Sequence, residues 1–509
     1  MLFNSAAFLL FFPSVTLLYF CFPRRLKNPC LLLASYFFYA CWNPKYIILL
    51  FVTTLVTFAG GLLIQRCTGN GGTGSRKAVL FLVLLFNFGV LFLFKYYNWA
   101  SGILELLLGL LHIRCVFPVF EPVLPVGISF FTFQAVGYTI DVFRGELRAE
   151  RNFFKYALFV SFFPQLVAGP IERSRILLAQ LDKTYSFDYE RVRKGLLVML
   201  WGFFLKVALA DRAAVLVNQV YGNFSSYYGM QLIIATLCFA LQIYCDFIGY
   251  STIARGAALV LGFRLTDNFQ QPYFAGSVRD FWRRWHISLS FWLRDYLYIP
   301  LGGSRCSRLR RYRNLLITFA VSGLWHGASV KFVVWGLLHA CFQIAEDLSF
   351  RRSPGRKLAA GLSGESTRAT ADVSAEAAAA TNLRDRFSHR LFQRLRTFFL
   401  VTLAWVFFRA ETFTQALKIL KKSLRLTNIG LFFNDSIFQL GLSSFNVFML
   451  LLAGAALFVF SAMREKGISV LGWLSSQGIW FRFAVYWFLL FMILFSLNLT
   501  GTEFIYFQF

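Results

Sequence analysis

Ser322-Gly323-Leu324-Trp325-His326-Gly327-Ala328-Ser329 lies inside a segment, Asn314 to Phe342, whose only formal charge is Lys331. A run of that length spans a bilayer with residues to spare, since about 20 apolar residues suffice. An ionisable side chain is costly at membrane depth and faces a protein cavity or water, so His326 reads as a functional residue. Imidazole titrates near neutrality and suits taking a proton from a hydroxyl and returning it. The segment therefore predicts a helical membrane protein with acid–base chemistry inside the bilayer.

Composition extends that reading to the whole chain. Of 509 residues, 58% are hydrophobic, 19% aromatic and only 15% charged, too apolar for a soluble protein of this size. Apolar runs recur at Leu2–Phe22, Tyr46–Ile64, Ala78–Phe94, Gly195–Ala210, Met230–Tyr244, Leu315–Phe342, Phe398–Phe408, Phe445–Phe460 and Phe481–Leu499. With the broken runs between them they predict an all-α, polytopic membrane protein of roughly eleven to thirteen transmembrane or re-entrant helices.

The net charge of +27 collects in the connections: Arg24-Arg25-Leu26-Lys27, Arg76-Lys77, Arg191 to Lys194, Arg305 to Arg313 and Arg351 to Arg396. Such stretches mark cytoplasmic faces and meet anionic lipid headgroups. Basic surfaces also bind nucleic acid, but charge confined to the connections follows the membrane rule, and no nucleic-acid partner is expected. Met1 to Asn4 carry no basic residue and Arg24-Arg25 follow the first apolar run, the pattern of a retained anchor rather than a cleaved signal peptide. The nine cysteines are scattered without the spacing of a redox or zinc pair, so they read as small apolar fillers, and no metal is expected.

Ser349 to Arg396 departs from membrane composition, with Ser-Pro-Gly, small residues and an alanine run at Ala377–Ala380. It reads as a basic cytoplasmic loop within a single membrane domain, dividing it into N-terminal membrane helices (1–150), catalytic core helices (151–348), the loop (349–396) and C-terminal membrane helices (397–509). No inverted repeat of the transporter kind is visible. The glycine-rich Gly69 to Arg76 lacks the Gly-Lys-Ser/Thr ending of a phosphate loop and reads as a turn. The Asn-x-Ser/Thr triplets at Asn223, Asn434 and Asn498 read as coincidences.

Two further stretches place ionisable groups among apolar ones. Asp280-Phe281-Trp282-Arg283-Arg284-Trp285-His286-Ile287-Ser288, continuing through Arg294-Asp295-Tyr296 to Gly303, has the composition of an interfacial amphipathic helix. His286 must then pair with water, backbone or substrate. Gln242-Ile243-Tyr244-Cys245-Asp246-Phe247-Ile248-Gly249-Tyr250-Ser251 buries a carboxylate that is neutral or hydrogen-bonded, since an unpaired buried charge is strongly destabilising. Asp246 is either an interhelical tie or a functional acid. His339 would face away from His326 on one continuous helix, at about 100° per residue. His389 falls in the basic loop and His112 at the end of an apolar segment.

With Phe3-Asn4-Ser5, Ala34 to Trp42, Val123-Leu124-Pro125-Val126-Gly127-Ile128-Ser129-Phe130-Phe131-Thr132-Phe133, Phe163 to Ile171 and Phe504-Ile505-Tyr506-Phe507-Gln508-Phe509, these stretches resemble the membrane-bound O-acyltransferase superfamily. Within it they resemble the alginate O-acetyltransferase-like family. The resemblance spans nearly the whole chain. It is most specific from Asp280 to Gly303, which looks more like the alginate-type members than the teichoic acid D-alanine relatives. Matching the motifs makes His326 the principal catalytic histidine and His286 its partner. One stretch departs: the family's Asp-Phe-Ser-Gly-Tyr-Ser-Asp reads here Asp246-Phe247-Ile248-Gly249-Tyr250-Ser251-Thr252, a lost hydroxyl and a lost carboxylate that bear on the acceptor or partner.

The resemblance implies a helical core of the family's type in a bacterial cytoplasmic membrane. It implies acetyl-CoA as donor with no bound cofactor. The acetyl group would pass through the protein toward an extracytoplasmic polysaccharide, completed by a separate extracytoplasmic acetyltransferase. His326 would act as general base and His286 would orient substrate, while Trp325, Asp246, Tyr250, Arg283, Arg284 and Asp295 are candidate tunnel or substrate contacts. Arg305, Arg308, Arg310, Arg311 and Arg313 either attract coenzyme A phosphates or merely set topology. Tyr506 is an acyl relay or an aromatic interface anchor. Two alternatives stay open: transfer of D-alanine or another acyl group to teichoic acid or lipid, and a proton-coupled transporter relaying protons through His326 and Asp246.

Overall fold

Apolar runs become helices because a backbone in lipid must satisfy its own polar groups. A computed structural model describes the chain except residues 70, 71, 122, 168, 353–386, 426, 429, 431–434, 498–503 and 505–509. Its first part is α1 (Ala6–Cys21), α2 (Arg24–Ala40), α3 (Tyr46–Gly69) and α4 (Thr73–Leu91), the last running through a π-helical turn at Phe92–Tyr96 into α5 (Tyr97–Leu110). The core follows with α6 (Ile128–Arg144), α7 (Phe153–Ser161), α8 (Phe163–Leu166), α9 (Ser174–Leu181), α10 (Tyr189–Phe203), a π-helical stretch at Phe204–Ala210, α11 (Asp211–Gly222) and α12 (Met230–Leu261). Then come α13 (Val278–Arg284), α14 (Ile287–Leu293), α15 (Arg308–His326) and α16 (Val330–Arg352). The last part holds α17 (Phe387–Arg409), α18 (Phe413–Ser423), α19 (Ser444–Glu465), α20 (Val470–Ser475) and α21 (Ile479–Leu494). No strand occurs among the described residues.

The chain is a multi-pass membrane protein. Five described helical stretches, Tyr46–Thr68, Thr73–Leu110, Met230–Leu261, Phe387–Arg409 and Ser444–Glu465, are long and apolar enough to cross a bilayer, and Ala6–Cys21 and Ile479–Leu494 are shorter apolar helices. Several of the other apolar runs fold into shorter or interrupted helices. Leu10, Leu33, Ile48 and Trp480 stand exposed on the outside, where lipid rather than water meets them.

Three sequence expectations change in detail. The apolar run Leu315–Phe342 is not one span: α15 stops at His326 and α16 starts at Val330, so the chain folds back on itself. The basic loop assigned to 349–396 is shortened by helix at both ends, to Arg352 and from Phe387, and its middle lies outside the described residues. The stretch from Asp280 is not an interfacial helix. It breaks at Trp285-His286, and Trp282 and Trp285 are buried in the core.

Close packing fixes the hairpin. A Cβ on Gly323 would sit 2.1 Å from the Phe332 carbonyl oxygen, and one on Gly336 would sit 2.1 Å from that of Phe319. The α15 and α16 backbones therefore touch as small residues permit in membranes. At the centre, Lys206 from the π-helical stretch joins Asp211 at 2.7 Å and Asp246 of α12 at 2.8 Å, all three buried. Asp246 is thus ion-paired across the packed helices.

Candidate active site

His326 ends α15, where the last carbonyls of a helix lack intrahelical partners. The π-helical turn at Phe92–Tyr96 supplies them. Lys95 Nζ donates to the Trp325 carbonyl at 2.8 Å and the His326 carbonyl at 3.0 Å, while Tyr96 Oη donates to the Leu324 carbonyl at 2.8 Å. A cation at this end also complements the helix dipole. The imidazole is buried among Trp325, Trp335 and Phe408, at ring-centre distances of 4.9, 5.0 and 5.3 Å.

His286 is the residue at which the chain breaks between α13 and α14. Its φ of 43° is a left-handed conformation that a non-glycine residue adopts only when its surroundings enforce it. The Asn268 carbonyl accepts the Ile287 N–H at 3.0 Å, and the Asn268 side-chain oxygen accepts the Ser288 N–H at 3.1 Å, so one asparagine grips the break. The buried imidazole meets Phe247 edge-on at 4.6 Å and lies 5.7 Å from Trp325. Trp325 therefore packs against both histidines.

Two cavities adjoin this cluster. One, about 50 Å³, is walled by Lys95, Leu124 to Phe130, Val167, Trp325 and His326. The other, about 360 Å³, is walled in part by Phe133, Ser288, Trp292, Glu172, Arg173 and Asp295. Phe133 stacks on Trp292 at 3.8 Å and lies 5.8 Å from Trp325. Aromatic rings thus stand between the two spaces.

Of the residues singled out from sequence, His326, His286 and Trp325 come together. Asp295 borders the larger cavity, bound to Arg173 at 2.6 Å and Arg294 at 2.8 Å. Tyr250 donates to the Asn4 side chain at 3.0 Å, and its ring lies 4.4 Å from Phe504. Arg283 is exposed on α13, and Arg284 is engaged by Glu465 at 2.6 Å and Asp280 at 3.1 Å. The residues Arg305–Arg313 line neither cavity, and Arg311 pairs with Asp347 at 2.6 Å. Tyr506 lies outside the described residues. Among the described residues no group of three or more His, Cys, Asp and Glu side chains could hold a metal ion.

Sequence reasoning passed over Lys95, Lys206, Glu172 and His339. Lys206 interrupts the apolar run Gly195–Ala210, the same signal that singled out His326. On one continuous helix His339 would face away from His326. The turn at Gly327 brings it back, so that it and His326 both lie 5.0 Å from Trp335. Glu172 sits in the connection before α9, outside the membrane-spanning helices. Burial pushes its carboxyl up to about 7, although Thr266 donates to it through N–H and hydroxyl.

Residues 79–357 match the family model described as membrane-bound O-acyltransferase. The chain is 37% identical to the probable alginate O-acetylase AlgI of Pseudomonas aeruginosa, over 82% of this chain and 73% of that protein. It is 35% identical to the peptidoglycan O-acetyltransferase of Helicobacter pylori, over 85% of this chain and 81% of that one. The teichoic acid D-alanyltransferase of Bacillus subtilis is 26% identical over 57% of this chain and 72% of its own.

Proposed function

The chain belongs to the membrane-bound O-acyltransferase family and is an O-acyltransferase, and from that premise we propose that it moves acetyl groups from cytoplasmic acetyl-CoA toward hydroxyls of an extracytoplasmic polysaccharide. It would do so in a bacterial cytoplasmic membrane, with its shorter helices bringing the crossings and re-entrant segments to roughly eleven to thirteen. The observation that carries the reading is His326: a buried imidazole at a broken helix end, on a cavity wall, sharing Trp325 with a second buried histidine.

The donor enters by the larger cavity, whose wall carries Arg173 and Arg294 beside Asp295, and these guanidinium groups would meet coenzyme A phosphates. The smaller cavity is where the acetyl group and the attacking hydroxyl meet. Its volume of about 50 Å³ holds only a few water-sized groups, each needing about 10–15 Å³, which suits acetyl better than a long acyl chain. Neutral His326 removes the hydroxyl proton as the oxygen attacks the thioester carbonyl, and returns it to the departing sulfur. Such a positioned base contributes about 10²–10⁴ in rate. His286 orients the acyl group across Trp325.

In this reading the hydroxyl that attacks the thioester is the Tyr506 phenol, which becomes the acetyl ester, and the phenol regains its proton when a hydroxyl of a separate extracytoplasmic acetyltransferase takes the acetyl group. Supporting this over an interface anchor, Phe504, two positions before it, is fully buried against Tyr250 and Phe247, and Phe247 touches His286.

The alginate and peptidoglycan acetylating relatives are more similar to this chain than the D-alanyl-transferring one, which favours acetyl over D-alanine. The test supplies membranes with labelled acetyl-CoA, D-alanyl carrier or longer acyl-CoA and weighs the group transferred. Acetyl on polymer is the expected product. D-alanine on teichoic acid, or substrate accumulation in sealed vesicles without donor consumption, would replace this reading with transfer to another acceptor or with transport.

A further inference from the structure

We propose that Lys95 is a catalytic residue of the same site, its ammonium holding the end of α15 with two N–H groups and presenting the third to the acyl carbonyl oxygen as negative charge develops there. The inference rests on the acyl-transfer reading of His326.

An ammonium has three donors and no acceptor. Two are spent at 2.8 and 3.0 Å on the carbonyls of Trp325 and His326. Lys95 and His326 share the wall of the small cavity, and no carboxylate is among the described residues lining it. Among the described residues lining this space, Lys95 is the only cation and His326 the only base, and the remaining donor is the one assigned to the oxyanion. A fixed donor in a site shielded from water stabilises an oxyanion with little reorganisation. The π-helical turn that aims Lys95 and Tyr96 together at α15 is itself a feature enriched at functional sites.

The step balances. The acceptor oxygen bonds to the thioester carbon, the carbonyl π pair moves onto oxygen beside Lys95, and His326 takes the hydroxyl proton. When the C=O bond re-forms, the C–S bond breaks and His326 returns the proton to sulfur. Lys95 donates a hydrogen bond and transfers no proton in the step.

A structural cap alone would explain the two carbonyl contacts, so the test must separate capping from charge. The readout is release of free coenzyme A thiol from acetyl-CoA by membrane vesicles holding the full chain. Lys95→Met is expected to lower kcat by about 10²–10³ while KM for acetyl-CoA stays within about threefold. Lys95→Gln keeps a neutral donor for the carbonyls and is expected to fall as far, which guards against a methionine variant that does not fold. Tyr96→Phe removes a cap but no charge, and is expected to cost less than about tenfold. Folded Lys95→Gln protein within about tenfold of the native kcat, or equal losses in Lys95→Gln and Tyr96→Phe, would overturn the proposal. His326→Ala is run beside them: if it stays active, the underlying reading fails, whereas an inactive His326→Ala beside an active Lys95→Gln sinks only the role of Lys95.

Discussion

The imidazole of His326 lies 5.0 Å from the indole of Trp335, ring centre to ring centre and nearly perpendicular at 88°, although the two sit on opposite arms of a hairpin. The contact exists because α15 stops at His326 and α16 returns beside it. The helix break frees the terminal carbonyls that Lys95 and Tyr96 bind, and it places the imidazole at a cavity rather than in the middle of a ladder.

The hairpin depends on its glycines. Gly336→Val is expected to force the arms apart, because even a Cβ would sit 2.1 Å from the Phe319 carbonyl oxygen. Overpacking of this kind costs about 1–3 kcal/mol or more. Thermal unfolding in detergent should show a lowered midpoint and turnover should drop; an unchanged midpoint would mean the arms can separate freely.

Much of this was legible in the sequence, and the failures have physical causes. Apolar length announced a helical membrane protein, and a lone histidine in an apolar run announced His326. Composition could not reveal that one residue with positive φ, His286, breaks an apparent interfacial helix into two short ones with buried tryptophans, because the break is gripped by Asn268 from a distant stretch. Nor could it reveal that Gly327 ends a helix, since its extended φ of −171° is open to any residue. His339 was lost through that error. Lys206 is readable by the logic applied to His326, as the one formal charge inside the apolar run Gly195–Ala210.

Lys206 holds two carboxylates within 2.8 Å in the core. Lys206→Met leaves Asp211 and Asp246 buried without their cation, and loss of one partner from a buried pair costs about 3–5 kcal/mol. The variant should accumulate poorly and unfold at lower temperature, and a double variant with Asp246→Asn should recover part of the loss. No recovery in the double variant would show that the pairing contributes little.

Glu172 predicts a pH dependence with a definite sign. Its folded carboxyl sits near about 7 against an ordinary 4.5, so its contribution to stability is full below about 4.5 and is lost as pH rises through about 7. Glu172→Gln mimics the protonated form. Unfolding midpoints at pH 6 and pH 8, about one unit below and above the folded value, should differ less in Glu172→Gln than in the native protein. Equal pH dependence in both would place the carboxyl in an ordinary, solvated setting.

The most direct measurement of the central claim is turnover of labelled acetyl-CoA by membranes carrying native protein or His326→Ala, at matched amounts of folded protein. Loss of about 10²–10⁴ in kcat, with the variant still intact in the bilayer, is the predicted result. Native-like turnover by His326→Ala would contradict it.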